Sequence, residues 1–349
     1  MTDSKPNPES QKSNTNSVQC AGVNLGFGWT KIAVENTLLL WPSVVSEYRG
    51  GLQSNRQVEP HMLVSVGSQF YEVGEGAAKF GTPLKALHRS FAQSDVYKAM
   101  VQAALQRLAE RGSHWSVVVG VALNHYRDAA VREGVRKLWE GEGGYHQLSN
   151  GKSLRVSNVL VIPETFGAAS ELMADDERAE VWMQSKVMIV DFGRFTTGWV
   201  PYVNGQPSGD TDSVDVGVSL LVQRLAEKLR AITGVPSLTE EEVELAMIGK
   251  RTLYGRAVEG KRLPVDVAPW FAKAVDEAWP QIEAQLRSKL GDLRGLDMVA
   301  VGGGAKAFES KLRAAFKETN LLIPDNAQDI NATGMLRIAK MQTASSATV

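Results

Sequence analysis

Cysteine is nearly absent from this chain. Cys20 stands alone among 349 residues, so no internal disulfide can form, which fits a reducing compartment such as the cytoplasm. Long apolar runs are missing as well: none approaches the ~18 residues of a membrane span, and no membrane partner is expected. An excess of either charge is missing too. The 38 Lys and Arg against 39 Asp and Glu leave a formal charge of -1. That argues against direct binding of nucleic acid, which rests on neutralising phosphates. The five histidines show no metal-ligand spacing, and the eight tryptophans are scattered, with no stacking platform for single strands. Ser43 and Ser170 lack a nucleophile elbow and a base, so acyl transfer has no support.

What is present is an ordinary globular composition, 43% apolar and 22% charged, at a length that favours about two domains. Residues 1–18, rich in Ser, Asn, Pro and Gln without an apolar h-region, read as a disordered tail rather than a signal peptide. Residues 343–349 read as a flexible tail. Between them the pattern is a duplicated α/β unit with a β-hairpin opening each half. In the first half, helices are expected over Val96–Arg111 and Arg127–Trp139 and buried strands over Ser116–Leu123 and Asn158–Ile162. A hairpin turn is expected at Asn150-Gly151. In the second half, helices are expected over Val216–Ala231, Thr239–Ile248, Val267–Leu290 and Lys306–Phe316. A buried strand at Leu296–Val301 and a closing helix at Asn331–Met341 complete the pattern.

Two stretches repeat one grammar. Cys20 to Val34 and Val187 to Val200 each read as an apolar strand, an acid or its amide, a glycine-containing turn with hydroxyls, then a second β-rich strand. Such turns let backbone N–H groups face a ligand with no Cβ in the way. In the first, Gly26 and Gly28 allow close approach, Thr30 offers a hydroxyl and Lys31 a cation for phosphate oxygens. In the second, Gly193, Thr196 and Thr197 offer donors from the other side, and Asp191 stands at a strand end suited to Mg2+ held through its waters. Either turn alone is equally an ordinary hairpin; the pair suggests a grip on a triphosphate. A third element runs from Met298 into Gly302-Gly303-Gly304 and a helix, where a flat or anionic group could lie against backbone. In the fourth, Glu164 follows a buried strand and Pro163. It could orient or deprotonate a water, or simply be a helix N-terminal acid. The small residues Gly167, Ala168 and Ala169 after it would let two helices cross closely, as at an interdomain hinge.

The order of these four elements, with Asn331-Ala332-Thr333-Gly334-Met335 at the end, resembles the actin-like (ribonuclease H-like) nucleotide-binding fold of actins, large heat-shock chaperones and sugar kinases. With Trp41-Pro42-Ser43-Val44-Val45, the Pro163-Glu164 pair and Asp215-Val216-Gly217-Val218, it is most similar to the bacterial actin-like ATPases of plasmid segregation, the ParM/StbA type. The resemblance spans about Gly22 to Lys340. It implies two similar α/β domains around a nucleotide cleft: residues 19–164 completed by a C-terminal helix at 332–342, and residues 165–331. It also implies ATP, with GTP an open alternative, and Mg2+. Asn24, Gly26, Phe27, Gly28, Trp29, Thr30 and Lys31 would face the phosphates from one side, and Gly193, Arg194, Thr196 and Thr197 from the other. Asp191 would serve the metal, Glu164 the attacking water, and Gly302, Gly303, Gly304 and Lys306 the adenosine. The helix from Gly217, carrying Lys228, would flank ribose and base. The cluster Lys250, Arg251, Arg256, Lys261 and Arg262 reads as a solvated face.

Two departures stand out. The family has Asp where this chain has Asn24, so nucleotide binding is expected and hydrolysis less firmly so. Bulky Arg194 and Phe195 also stand where small residues are common. The leading expectation is a cytoplasmic ATPase that polymerises head to tail and moves plasmid DNA through a centromere-binding adaptor protein. A nucleotide-regulated scaffold with weak hydrolysis and a small-molecule kinase of the same superfamily are the alternatives, since fold alone does not choose.

Overall fold

A computed structural model of the chain describes residues 18–48, 62–84, 88–174, 176–209, 211–291 and 295–346. The expected N-terminal tail lies outside the described residues up to residue 17, as do residues 347–349. In the first half the strands are β1 (Gln19–Leu25), β2 (Trp29–Val34), β3 (Thr37–Pro42), β4 (Val45–Glu47), β5 (Met62–Val66) and β6 (Gln69–Val73). Helices α1 (Glu75–Phe80) and α2 (Asp95–Ala109) lead to β7 (His114–Val121). Then come α3 (Leu123–Arg127), α4 (Ala129–Glu140), β8 (Tyr145–Gln147) and β9 (Ser153–Pro163). The second half begins with α5 (Glu164–Leu172), α6 (Asp176–Gln184), β10 (Lys186–Phe192), β11 (Thr197–Val203), β12 (Gln206–Pro207) and β13 (Asp212–Val214). It continues through α7 (Val218–Thr233), α8 (Glu240–Met247), α9 (Ala268–Leu290), β14 (Asp297–Val301), α10 (Gly303–Ala307), α11 (Glu309–Ala315), β15 (Asn320–Leu322) and α12 (Ile330–Ser346).

Two sheets share one plan. The first runs β3-β2-β1-β7-β9-β8 and the second β12-β11-β10-β14-β15, with β13 paired to β11. In each, an antiparallel hairpin (β1/β2, β10/β11) is extended on its other side by a parallel strand (β7, β14). A third, smaller sheet, β4-β6-β5, is inserted in the first half. The duplication expected from the repeated hairpins is therefore a repeat of topology. The central parallel strands carry near-continuous apolar runs, Val117 to Val119 and Met298 to Val301, because both their faces are covered.

Local signals set the helix starts. Ser94 caps α2 by accepting from the Tyr97 N–H, and Asp128 caps α4 by accepting from Ala130 and Val131. Thr239 and Glu242 form a reciprocal capping box on α8. The helix expected over Lys306–Phe316 is two pieces, the first beginning earlier at Gly303. The chain breaks at Phe308 (φ -103°, ψ 11°) so that its fully buried ring packs against Trp279, with centroids 5.7 Å apart. Helix α12 runs on to Ser346, past the boundary expected at 342.

Each half has its own core: Val23, Ile32, Met100, Leu105, Trp115 and Trp139 in the first, and Leu221, Leu225, Ile282, Met298 and Phe308 in the second. Between the sheets, α5 and α12 cross with their backbones in contact. A Cβ on Gly334 would lie 1.8 Å from the Gly167 carbonyl oxygen, and one on Gly167 would lie 2.2 Å from that of Asn331. Only glycine at both positions allows this approach, which brings the N-terminal ends of α5 and α12 to the cleft between the halves.

Candidate functional site

The two glycine-bearing hairpins converge. Asn24, Gly26, Phe27, Gly28, Trp29 and Lys31 line one wall of a cavity whose other wall is Asp191, Gly193, Arg194 and Thr196. Glu164, Gly302, Gly303 and Asn331 close it. The cavity has a volume of about 180 Å³ and opens to solvent.

In the first hairpin, Asn24 on β1 pairs directly across from Lys31 on β2, so both side chains stand on one face. Both are buried. Ser43, in the link after β3, holds the turn: its N–H donates to the Gly28 carbonyl at 2.9 Å. Its hydroxyl lies 3.0 Å from the Thr30 hydroxyl. Thr30 is thus engaged away from the cavity.

In the second hairpin, Asp191 ends β10 opposite Gly198, and the turn closes with the Gly193 N–H donating to the Thr196 carbonyl at 2.9 Å. The N-terminus of α7 is tied to this turn. The Val218 and Ser219 N–H groups donate to the carbonyls of Gly193 and Arg194 at 3.0 and 2.7 Å. The Thr197 hydroxyl donates to the Val216 carbonyl at 2.8 Å. A Cβ on Gly217 would lie 2.4 Å from the Gly193 carbonyl oxygen. Gly217 and Thr197 were expected at the ligand; both are engaged with the loop's own backbone and lie outside the cavity lining.

The triple glycine divides its work. Gly302, at φ 84°, passes so close to Asp191 that a Cβ would lie 2.2 Å from its Oδ1. Gly303 has nothing within 4 Å of its Cβ position and lines the cavity. Gly304 is packing: a Cβ there would lie 2.7 Å from that of Phe192. Two expected cations lie elsewhere. Lys228 pairs with Glu277 of α9 at 2.6 Å, and Lys306 stands 3.7 Å from Asp325 and 3.8 Å from Glu309. Of the basic cluster read as a solvated face, Lys250 pairs with Glu75 on α1 and stacks 5.7 Å from the Trp29 ring centroid.

Asn331 was not anticipated as a site residue. From α12 its amide donates to Asp191 Oδ2 at 2.7 Å, a buried bond between residues 140 apart in the chain. Glu244, on α8, also lines the cavity without having been anticipated. Around Glu164 and Asp191 the electrostatics are those of crowded acids facing Lys31. Burial, then the neighbouring Asp191 charge, pushes the Glu164 carboxyl up to about 8, against the opposing pull of Lys31. Burial likewise raises Asp191, against Lys31 and the Asn331 hydrogen bond. Among the described residues, Asn24 Oδ1 and Asn331 Oδ1 are buried without a hydrogen-bond partner.

Those two orphaned acceptors, beside two carboxylates and a glycine cradle, fit a hydrated divalent cation with a polyphosphate. The carbonyl oxygens accept from metal-bound waters, the acids oppose the cation charge, and the open backbone at Gly303 admits an anion. Asp191 with Asn24 and Asn331 would hold the ion, which supplies charge neutralisation on the phosphate oxygens. Glu164 presents its carboxyl to the same cavity, beside Asp191.

Residues 22–167 match the model of the N-terminal domain of actin-like proteins. Among solved structures, the chain resembles the ParM of a 15-stranded filament from Clostridium botulinum. It is 18% identical at TM-score 0.70, over 93% of this chain and 99% of that one. It resembles the actin-like protein Alp7A, 15% identical at TM-score 0.69, over 94% and 97% of the two chains. It also resembles an archaeal actin homologue in complex with ADP, 17% identical at TM-score 0.66, over 93% and 100%. No curated protein matches it by sequence.

Proposed function

We propose that this chain, whose residues 22–167 match the N-terminal domain of actin-like proteins and whose fold as a whole resembles solved actin-like structures, is a polymerising ATPase. ATP with Mg2+ is held between the two halves, and the occupied subunits associate head to tail into filaments. The observation that carries this is the convergence of two hairpins, far apart in the chain, on one cavity that holds Lys31, Asp191, Glu164 and two unpaired amide oxygens. Lys31 and the turn amides around Gly26, Gly28 and Gly193 bind the phosphates. Asp191, fixed by Asn331, would hold the ion through its waters, the ion supplying charge neutralisation on the phosphates, and Glu164 would orient the attacking water and take its proton. Catalysis of this kind is positioning and charge compensation more than covalent chemistry.

Filament turnover follows if hydrolysis changes the angle between the halves and hence the subunit contact. The near-zero net charge fits a polymer that reaches plasmid DNA through a centromere-binding adaptor rather than directly. The test is pelleting and light scattering of the full chain with ATP–Mg2+, ADP–Mg2+ and GTP–Mg2+, with electron microscopy of the ATP sample. Failure of well-folded protein to assemble across a wide concentration range would remove the filament. Asn24 favours a second reading, a nucleotide-regulated scaffold that hydrolyses slowly, because an amide cannot neutralise the metal as a carboxylate does. Measuring turnover beside affinity separates the two: tight binding with negligible turnover selects the scaffold.

A further inference from the structure

Arg194 lines the cleft, and its hydrocarbon stem lies against the first hairpin: a Cβ on Gly28 would be 3.5 Å from its Cδ. Its ion-pair partners, however, all belong to α8. Nη1 donates to Glu244 Oε2 at 2.8 Å, and Nη2 stands 3.7 Å from Glu240 and 3.9 Å from Glu241. The side chain is 8% exposed, its Nε has no hydrogen-bond partner among the described residues, and the guanidinium stacks 5.4 Å from the Phe195 ring centroid. One cation therefore faces three carboxylates, with a buried donor still unused. Burial pushes the Glu244 carboxyl up to about 7, against the pull of Arg194, so Glu244 can stay in place as a neutral acid when the guanidinium is withdrawn.

Helix α8 also reaches the other half. Leu245 packs in one cluster with Val44, Ala77 and Ala78. Lys250, just past the helix, pairs with Glu75.

We propose that Arg194 is a shared counter-ion, contested between the acids of α8 and the polyphosphate of the nucleotide, so that phosphate binding loosens α8 and is transmitted to the contact between the halves. The inference rests on the nucleotide reading above. Its physical content is competition: a guanidinium bound to carboxylates must be released to bind phosphate, and coupling between the two is reciprocal. Weakening the α8 side must therefore strengthen the phosphate side.

The experiment is calorimetric titration of the full chain with ATP–Mg2+ and with tripolyphosphate–Mg2+, for the wild type, Glu244→Gln, Arg194→Ala and the double variant. Glu244→Gln should tighten binding of both probes, on the order of tenfold, the scale of one charge-assisted hydrogen bond. Arg194→Ala should weaken both by a similar factor, and Glu244→Gln should then have no effect in the Arg194→Ala background. If Arg194→Ala fails to fold, Arg194→Lys serves in its place and the Glu244→Gln gain should shrink with it. A purely structural Arg194–Glu244 pair would give weaker binding on removal of either partner, and that result overturns the proposal. So does a Glu244→Gln gain that persists undiminished without Arg194. If the wild type binds neither probe, the nucleotide reading falls first. If it binds both but this sign pattern is missing, only the counter-ion proposal falls.

Discussion

Phe27 and Phe195, at the tips of the two hairpins, meet edge to face across the cleft with ring centroids 5.3 Å apart and planes at 84°. Phe27 is anchored behind by Phe91, 4.1 Å away, and Phe91 meets the buried Tyr97 of α2 at 5.4 Å. The first core is thereby joined ring by ring to the second hairpin. An aromatic pair in this geometry is worth about 0.5–1.5 kcal/mol beyond its area. Phe195→Ala removes it without touching Lys31, Asp191 or Glu164. Release of a fluorescent ATP analogue in stopped flow should then speed up by roughly two- to tenfold, with Phe195→Tyr close to wild type. Unaltered release from Phe195→Ala would show that the hairpins part without breaking this contact.

The crossing of α5 and α12 makes a second prediction, on stability. Gly334→Ala drives a methyl into the Gly167 carbonyl, 1.8 Å from the Cβ position, and backbone cannot step aside as a side chain can. The expected cost is about 1–3 kcal/mol or more, read as a lower urea midpoint. Gly134→Ala is the control. Gly134 is exposed on α4 with nothing within 4 Å of its Cβ position. Alanine there should gain up to about 1 kcal/mol from helix propensity alone. Equal effects of the two substitutions would mean that the helices are not in backbone contact.

The fold was legible because its defining repeat is local. A strand, an acid or amide, a glycine turn and a second strand appear within fifteen or so residues, and hairpin geometry follows from that spacing. The direction each glycine faces was not legible. Gly217 and Gly304 are glycine because neighbouring backbone and side-chain atoms crowd them, a reason that sequence cannot separate from ligand approach. Lys228 and Lys306 looked available to a nucleotide. Their positions on the helix circumference turn them to surface acids instead. Asn331 and Glu244 lay hidden because their partners are 140 and 50 residues away, and only the crossing of α12 and the docking of α8 bring them in. The helix break at Phe308 was equally invisible, being set by the hole its ring fills.

Glu164 predicts a pH dependence whose sign follows from burial. Its carboxyl is raised in the fold from 4.5 to about 8, so the unfolded chain ionises it first. Its contribution to stability is whole below about pH 4.5 and is lost progressively as pH climbs toward 8. Asp191, also raised, acts with the same sign. Urea midpoints measured without nucleotide or Mg2+ should therefore fall from pH 5 to pH 8, and Glu164→Gln, which cannot ionise, should fall less. A variant whose slope matches wild type would place the titration elsewhere.

Asn24 carries the last prediction, because its side chain is 2% exposed and its Oδ1 has no partner among the described residues. Asn24→Asp is nearly isosteric, so it changes charge and little else. Without a cation it sets a further carboxylate beside Glu164 and Asp191, where like charges and burial oppose ionisation. Stability in chelator should drop on the order of 1–3 kcal/mol. With Mg2+ the sign reverses. A further acid strengthens cation binding, and a ligand at a hundred times its dissociation constant returns about 2.7 kcal/mol. The melting temperature of Asn24→Asp should thus rise steeply with Mg2+ while that of wild type rises little. ATP turnover should increase alongside if charge at this position limits hydrolysis. A variant as stable as wild type in chelator and indifferent to Mg2+ would mean that no cation is held between β1 and β10, and the assignment of Asp191 to the metal would fall with it.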